Sequence, residues 1–410
     1  MTYKQTHKIM NSMKTIYFLL LTALLAVGTA ACSKEDNGGG AAGDGFGKVN
    51  MAFSLESEPG IRAIPRSTAM PTTSWNGNIK DMLILFVEDG TVKDARSILP
   101  VPVSGDMAAK HFALTNIKAS ATGKTYDVYV IANSQQSDIR AEKATGGSWD
   151  VNSCVGSPVT GLLMKLAVNT AFTPQGAAEA GSTGYLESAE VFVAKKTGVR
   201  ILADQTNDLT AAPFRLTRII SMLRVRIDQS KNGNNVVDFT HADAGFRIRR
   251  ATVSANPLGT LVRGGIKDVL YTKGAFHDAE PASGYSGGTI LNPDRHITLW
   301  KDIRMFPGGS VATGSEKFDI VLTGKAPAGY VPMGHTTGLA AAADVAWTAA
   351  VSTAVNPNYI LEINLTLERK GIWLEDPANP GIPEVGQYGN ADVNIELVPW
   401  AGIVSEDIPV

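Results

Sequence analysis

Stretches in which apolar and polar residues alternate recur along most of the chain. The first runs over residues 48–56, and its apolar positions on one face are Val49, Met51, Phe53 and Leu55. An alternation with a period of two residues predicts a half-buried β-strand. Patterns with the spacing of a helix are scarce, so the chain is predicted to be all-β.

Further strands are predicted where apolar stretches are bounded by turn residues. They cover residues 82–87, 125–133, 187–195, 214–227, 246–253, 296–300, 318–323 and 359–367, with a last strand that contains Val393, Ile395 and Leu397. The stretch 82–87 is apolar on both faces and is therefore expected in the interior of a sheet. Residues 88–91 predict a turn into the next strand, and residues 137–143 favour a short helix.

Two domains are predicted from the number and spacing of these strands. The chain contains 41 glycines and 20 prolines, and two β-sandwiches of about seven strands each account for the pattern. The boundary is placed near Ala212 and Pro213, with an N-terminal sandwich over residues 63–213 and a C-terminal sandwich over residues 214–410.

Residues 1–31 are typical of a targeting segment. Lys14 supplies a positive start, and residues 16–27 form an apolar run that is too short to remain as a membrane-spanning helix. Small residues precede Cys32, and the segment resembles a bacterial lipoprotein signal, which implies a lipid on Cys32. Residues 32–45 are polar and rich in glycine, as in a flexible tether. The alternative is an ordinary secretory signal that contains a cysteine.

Composition and charge exclude several classes of function. The formal net charge of -2, with both signs scattered along the chain, gives no basic patch for nucleic acid. If Cys32 is acylated, Cys154 remains alone, which rules out an internal disulfide and favours a buried, small apolar role. No metal-ligand spacing, phosphate-binding loop or nucleophile motif was found, so neither a metal, a cofactor nor an enzyme activity is expected.

Several separated segments together resemble the fimbrillins, the type V pilus subunits of Bacteroidota. These are the lipoprotein start at Cys32, the alternating strand followed by Arg62-Ala63, and the stretches 123–133, 216–227, 358–367 and 393–400. The resemblance covers essentially the whole chain. It implies two transthyretin-like sandwiches in tandem and export to the outer membrane as a lipoprotein. An arginine-specific protease would then cut after the first strand, and a strand of the next subunit would fill the vacated groove.

The resemblance also implies roles for individual residues. Cleavage is expected between Arg62 and Ala63, or otherwise between Arg66 and Ser67, and would remove a pro-segment over residues 46–62. The displaced strand is the first one, with Val49, Met51, Phe53 and Leu55 on its apolar face, and it would be an edge strand. Its loss would expose unpaired backbone groups and the apolar surface against which these side chains had packed. The alternative is that these arginines only lie in an exposed loop.

The residues after Trp400 are the candidate donor strand. Its apolar residues are Ile403, Val404, Ile408 and Val410. Glu406 falls on the same face as Val404, and Pro409 removes one backbone donor, so a bulge that turns Ile403 inward is the alternative register. A frayed terminus is the other interpretation. A cut site together with a tail favours a shaft subunit, with other copies of the chain and related pilins as partners.

A second function remains open at this point. A surface lipoprotein could bind glycan or protein through exposed aromatic residues and keep its lipid. The candidate aromatic residues are Trp75, Trp149, Trp300, Trp347, Trp373 and Trp400, although most tryptophans of β-sandwiches lie in the core.

Overall fold

The computed structural model describes most of the chain after residue 43. The described residues are 44–55, 70–71, 79–99, 111–229, 237–242, 244–258, 268–273, 277–278, 285–286, 297–307, 318–351, 357–367, 370–378, 380–381 and 392–399. They are almost entirely strands and turns, which confirms the predicted all-β class. In this part of the chain, no helix is both long and apolar enough to cross a membrane.

Twelve of the described strands lie before residue 220. They are β1 (Asp44–Leu55), β2 (Met70–Pro71), β3 (Met82–Glu88), β4 (Thr91–Ile98), β5 (His111–Ser120), β6 (Lys124–Ala132), β7 (Ile139–Lys143), β8 (Leu162–Leu166), β9 (Thr183–Tyr185), β10 (Phe192–Ile201), β11 (Thr206–Asp208) and β12 (Phe214–Arg218). Short 3-10 helices occupy Val159–Gly161 and Ala177–Glu179.

The other described strands follow residue 220. They are β13 (Ser221–Asp228), β14 (Gly245–Arg249), β15 (Ser254–Ala255), β16 (Asp268–Lys273), β17 (His277–Asp278), β18 (Tyr285–Ser286), β19 (Ile297–Met305), β20 (Phe318–Ala326), β21 (Ala343–Val351), β22 (Tyr359–Thr366), β23 (Ile372–Trp373) and β24 (Asp392–Pro399).

The first large sheet contains strands from the N-terminal part alone. Its order is β11-β1-β12-β10-β6-β3-β4, and β5 pairs with β1. Apolar side chains of β1 and β5 share one core with those of β3, β6 and β10. Strand β3 lies between β4 and β6 and is buried along its length, as predicted from its two apolar faces. Asp89 and Gly90 both have positive φ, at 51° and 70°, which matches the predicted tight turn between β3 and β4.

The C-terminal strands form two further sheets that enclose a second core. Their orders are β17-β19-β13-β22-β24 and β23-β21-β20-β14-β16-β9. Apolar residues of β13, β19 and β22 share this core with those of β14, β20 and β21. The described sheets thus form sandwich-like arrangements, as the strand patterns predicted, and the second core also contains residues of the N-terminal strands, such as Leu85 and Ile131.

The two parts also share strands across the predicted boundary. Strand β9 runs parallel to β16 at the edge of the six-stranded sheet, and β15 pairs with β8 in a smaller sheet with β7. By their contacts, residues 44–410 group together. The boundary near Ala212 and Pro213 therefore stays a prediction.

Four local predictions are wrong. Residues 137–143 contain a strand, β7, because buried Ile139 and Ala141 alternate with exposed Arg140. The stretch predicted as one strand over 214–227 is two strands in different sheets. Strand β10 begins at Phe192, not at residue 187. Finally, the assigned tether ends too late, since Asp44 already pairs with Ser120 of β5.

The break between β12 and β13 has a clear cause in the backbone hydrogen bonds. The Ile219 N–H donates to the Val191 carbonyl at 3.0 Å, and the Asn358 N–H donates to the Ile220 carbonyl at 2.9 Å. Val191 directly precedes β10 of the first sheet and Asn358 directly precedes β22 of the five-stranded sheet, so the chain passes there from one sheet to the next.

Candidate functional site around the first strand

Strand β1 lies in the interior of its sheet. Val49 pairs with Leu114 of antiparallel β5 and also with Asn207 of parallel β11. Further along, Phe53 pairs with Phe214 of β12, which is also parallel to β1. The prediction of an edge strand is therefore wrong. Removal of β1 would leave a groove with unpaired backbone groups along both of its walls. One wall is β5, and the other is β11 followed by β12.

The side chains of β1 alternate between the core and the outer face. Val49, Met51 and Phe53 are each 0% exposed, so the predicted burial of these three residues is confirmed. The Phe53 ring lies 5.4 Å from that of Phe112 on β5 and 5.9 Å from that of Phe214 on β12. The backbone of Leu55 is described, but its side chain lies outside the described atoms. The role of this strand as a displaced strand stays a prediction.

Gly47 occupies an inward-facing position that has no room for a side chain. A Cβ atom built there would lie 2.5 Å from the Leu202 carbonyl oxygen and 3.0 Å from both Asn207 Nδ2 and Ile201 Cγ2. A contact under 3.0 Å with a backbone atom requires the chain to move. The close approach of β1 to residues 201–202 therefore depends on glycine at this position.

Backbone groups of β1 bond regularly to the segment around β11. The described bonds run from Asp204 N to Phe46 O (2.9 Å), from Lys48 N to Gln205 O (2.9 Å) and from Leu209 N to Asn50 O (2.8 Å). The Asn207 amide reinforces them, because its Nδ2 donates to Lys48 O and to Leu202 O, both at 3.0 Å. Its Oδ1 accepts from Leu202 N at 2.9 Å, which fixes the orientation of the amide.

The β5 wall is fastened by side chains that do not belong to β1. The Tyr126 hydroxyl donates to Lys118 O at 2.8 Å, and Lys118 N donates to Asp94 Oδ2 at 3.0 Å. Arg96 pairs with Asp94 and donates through Nε to Thr115 O at 3.1 Å. These contacts connect β5 to β4 and β6 and do not involve β1.

Tyr126 is held in its neutral form at this wall. Burial of its phenol raises the pKa to about 12, and the negative charges of Glu88, Asp94 and Asp44 act in the same direction. The neutral hydroxyl can therefore donate its hydrogen bond to β5 throughout the physiological pH range.

The β12 wall is fastened to neighbouring β10 and to the residue before β22. Phe214 is fully buried, and the Lys196 ammonium lies 4.5 Å above its ring. At the end of β12, buried Arg218 lies 3.6 Å from the Glu190 carboxylate and donates to Asn358 Oδ1 at 2.8 Å. Burial lowers the pKa of Arg218 to about 10 and raises that of Glu190. The β5 wall and the β12 part of the other wall are thus held by contacts that do not involve β1, whereas β11 pairs with β1 alone among the described strands.

Most of the other predicted site residues lie outside the described part of the chain. These are Cys32, Arg62, Ala63, Arg66, Ser67, Ile403, Val404, Ile408 and Val410. Their assignments as lipidation site, cleavage sites and donor strand stay predictions.

The tryptophans proposed for a binding surface do not form one in the described residues. Trp149 and Trp347 are 1% exposed and lie in the core, and Trp373 is half-buried. Trp75, Trp400 and the Trp300 side chain lie outside the described atoms.

Cys154 is buried, as predicted, and burial raises its pKa to about 11. No cluster that could hold a metal ion occurs among the described side chains.

Sequence reasoning missed the residues that shape the walls. Asn207, Tyr126, Asp94 and Arg96 carry no motif, since their partners lie far away in sequence. Gly47 could have been found, because a glycine at an inward position directly before an apolar alternation indicates a close approach of backbone.

Comparison with known proteins gives matches among solved structures alone. No model of a protein family matches the chain, and no curated protein does. A fimbrilin from Porphyromonas gingivalis is 12% identical with a TM-score of 0.40, covering 86% of this chain and 97% of the other. The fimbrial anchor protein Mfa2 from the same organism is 12% identical with a TM-score of 0.40, covering 78% and 90%.

A third similar structure is a candidate cell adhesion protein from Parabacteroides distasonis. It is 8% identical with a TM-score of 0.46, and the match covers 88% of this chain and 98% of the other. At identities and TM-scores this low, the assignment of function rests on the contacts of the chain itself.

Proposed function

We propose that this chain is the precursor of a structural subunit of a cell-surface fimbria, most simply of its shaft. In this proposal, proteolysis releases β1, and a strand of another subunit takes its place. The partners are other copies of the chain and related subunits. Before maturation, a lipid on Cys32 holds the precursor at the outer membrane, and the assembled fibre supports adhesion.

The position of β1 is the observation that carries this proposal. It is an interior strand with a buried apolar face, yet a single cut in the segment that follows it would leave it bound by non-covalent contacts alone. Arg62 and Arg66 both lie in that segment. Vacating the groove would expose unpaired N–H and C=O groups together with an apolar floor, and both favour the addition of another strand.

The covalent connection explains why the precursor would remain monomeric. While β1 is attached, it occupies the groove at a high effective concentration, so a strand from another molecule competes poorly. Cleavage removes this advantage. The β5 and β12 walls are already fastened to β4, β6 and β10, so these parts of the groove need little reorganisation when the next strand enters.

Brief digestion of the purified chain with an arginine-specific protease tests the proposal. The wild-type chain should lose its N-terminal segment and form a ladder of oligomers on unheated gels that collapses on heating. The double variant with Arg62→Lys and Arg66→Lys should prevent both events, whereas Arg66→Lys alone should leave them unchanged, because Arg62 is the expected cut site. A chain that loses β1 and stays monomeric would contradict the proposal.

A further inference from the structure

The geometry at Gly47 points to a specific register for the incoming strand, an inference that rests on the proposed exchange. We infer that Gly402 of a second copy takes the place of Gly47. Residues 402–410 would then follow the path of β1 in the same direction. The donor is thus this chain's own C-terminal segment, presented by another molecule.

The register follows from the exclusion of side chains at the Gly47 position. The Leu202 carbonyl that approaches to 2.5 Å of a Cβ is backbone, and Asn207 binds the same Leu202 backbone through both of its amide atoms. A strand in this groove therefore needs glycine at that position. Gly402 is the glycine of the segment 401–410, and a shift by two residues would place Trp400 or Val404 there instead.

The residues that follow Gly402 match the floor of the groove at most inward positions. Val404 falls at the position of Val49, Ile408 at that of Phe53, and Val410 at that of Leu55. Burial of branched apolar side chains at these positions stabilises the complex.

The opposite strand direction does not bring this segment into the groove. If the strand were reversed with glycine at the same position, residues 403–410 would extend past the start of β1 at Asp44. The floor would then have to be filled by residues of β24, and these already pair with β22.

The same register makes the donor a weaker occupant than β1. Glu406 falls at the position of Met51, which is 0% exposed, and Asp407 at that of Ala52, which is 2% exposed. Burial of a carboxylate without a partner is costly. The attached β1 is therefore the better occupant of the groove, and the donor enters after the released strand has left.

Disulfide trapping between two copies tests the register. The Asn50 carbonyl points toward β11, away from β5, and accepts a hydrogen bond from Leu209 N. The pairs of Asn50 with Ala113 and of Ala52 with His111 are therefore non-hydrogen-bonded pairs of β1 and β5. In such pairs the two side chains lie close together. Ser405 and Asp407 replace Asn50 and Ala52 in the proposed register. The in-register pairs are therefore Ser405→Cys with Ala113→Cys, and Asp407→Cys with His111→Cys.

The crossed pairs serve as matched controls, because they contain the same four cysteine variants in the other combinations. All chains carry Cys32→Ser, and buried Cys154 is retained. After protease treatment of mixed subunits, the in-register pairs should form a disulfide dimer at least about tenfold faster than the crossed pairs, whose Cα atoms are too far apart for the bond. In a separate assay without added cysteines, Glu406→Met should raise the temperature at which the ladder dissociates.

The outcomes separate this inference from the proposed function. Faster trapping of a crossed pair would overturn the register and leave the exchange intact. A ladder without trapping in any pair would show that another segment fills the groove, which also overturns the inference. Failure to form a ladder at all would remove the proposed function itself.

Discussion

Gly47 lies where a side chain would meet the backbone of residues 201–202. Gly47→Ala places a Cβ 2.5 Å from the Leu202 carbonyl oxygen, so β1 or residues 201–202 must move. We expect a loss of about 1–3 kcal/mol in the free energy of unfolding, the usual range for overpacking. Urea denaturation of the uncleaved chain measures it.

Gly161→Ala is the matched control for this substitution. A Cβ at Gly161 would lie 3.8 Å from both Pro158 and Trp149, which is ordinary van der Waals contact. Its effect should be much smaller than that of Gly47→Ala. Equal effects of the two variants would show that Gly47 tolerates a side chain, and the register inferred for Gly402 would lose its basis.

Tyr126 gives the β5 wall a dependence on alkaline pH. Because the pKa of Tyr126 is raised to about 12 from an ordinary value of 10.0, the folded state retains the phenolic proton in a range where the unfolded state loses it. The stabilisation is complete below pH 10 and is lost as the pH rises through about 12. Replacement of Tyr126 by phenylalanine removes both this dependence and the bond to Lys118.

Tyr126→Phe should therefore destabilise the chain most at pH 9 and less at pH 11. The loss at pH 9 should be about 1 kcal/mol, the usual net contribution of one hydrogen bond. Urea denaturation of both proteins at the two pH values measures the difference. A difference that is the same at pH 9 and pH 11 would mean that Tyr126 titrates normally in the folded chain.

At the scale of single strands, the hydrophobic pattern predicted elements best where one face meets the core without interruption. The inward residues of β1 follow a strict period of two, and β3 is apolar on both faces, so both were found. Strand β5 was missed because its buried residues Leu114, Ile117 and Ala119 are spaced by three and then two. The irregularity coincides with Asn116, which has a φ of 58°.

Strand pairing was beyond the reach of the pattern for a different reason. The partners of β1 lie far along the chain, and nothing near Lys48 indicates that Gln205 supplies its acceptor. The pattern over 214–227 likewise continues through the break, because Ile219 and Ile220 are as apolar as a strand requires. Their hydrogen bonds to Val191 and Asn358 decide the outcome, and these are tertiary contacts.

At the scale of the whole molecule, residues 187–191 connect the strands before residue 220 with those after it. Glu187 pairs with Arg304 of β19 at 3.2 Å, and Glu190 pairs with Arg218, which also binds Asn358 beside β22. The two ion pairs differ in burial: the side chains of Glu190 and Arg218 are 2% and 1% exposed, whereas those of Glu187 and Arg304 are 42% and 29% exposed.

This difference in burial predicts unequal effects of two otherwise similar truncations. Arg218→Ala would leave the Glu190 carboxylate in the interior without the guanidinium that lies 3.6 Å from it, which should cost about 3–5 kcal/mol. Arg304→Ala should cost less than about 1 kcal/mol, because solvent replaces an exposed partner. Thermal unfolding of the two variants beside the wild type measures both. An equal loss of stability in the two variants would contradict this prediction. It would mean that the Glu190–Arg218 pair does not fasten the β12 wall to the C-terminal strands and that this wall depends on the apolar packing of Phe214.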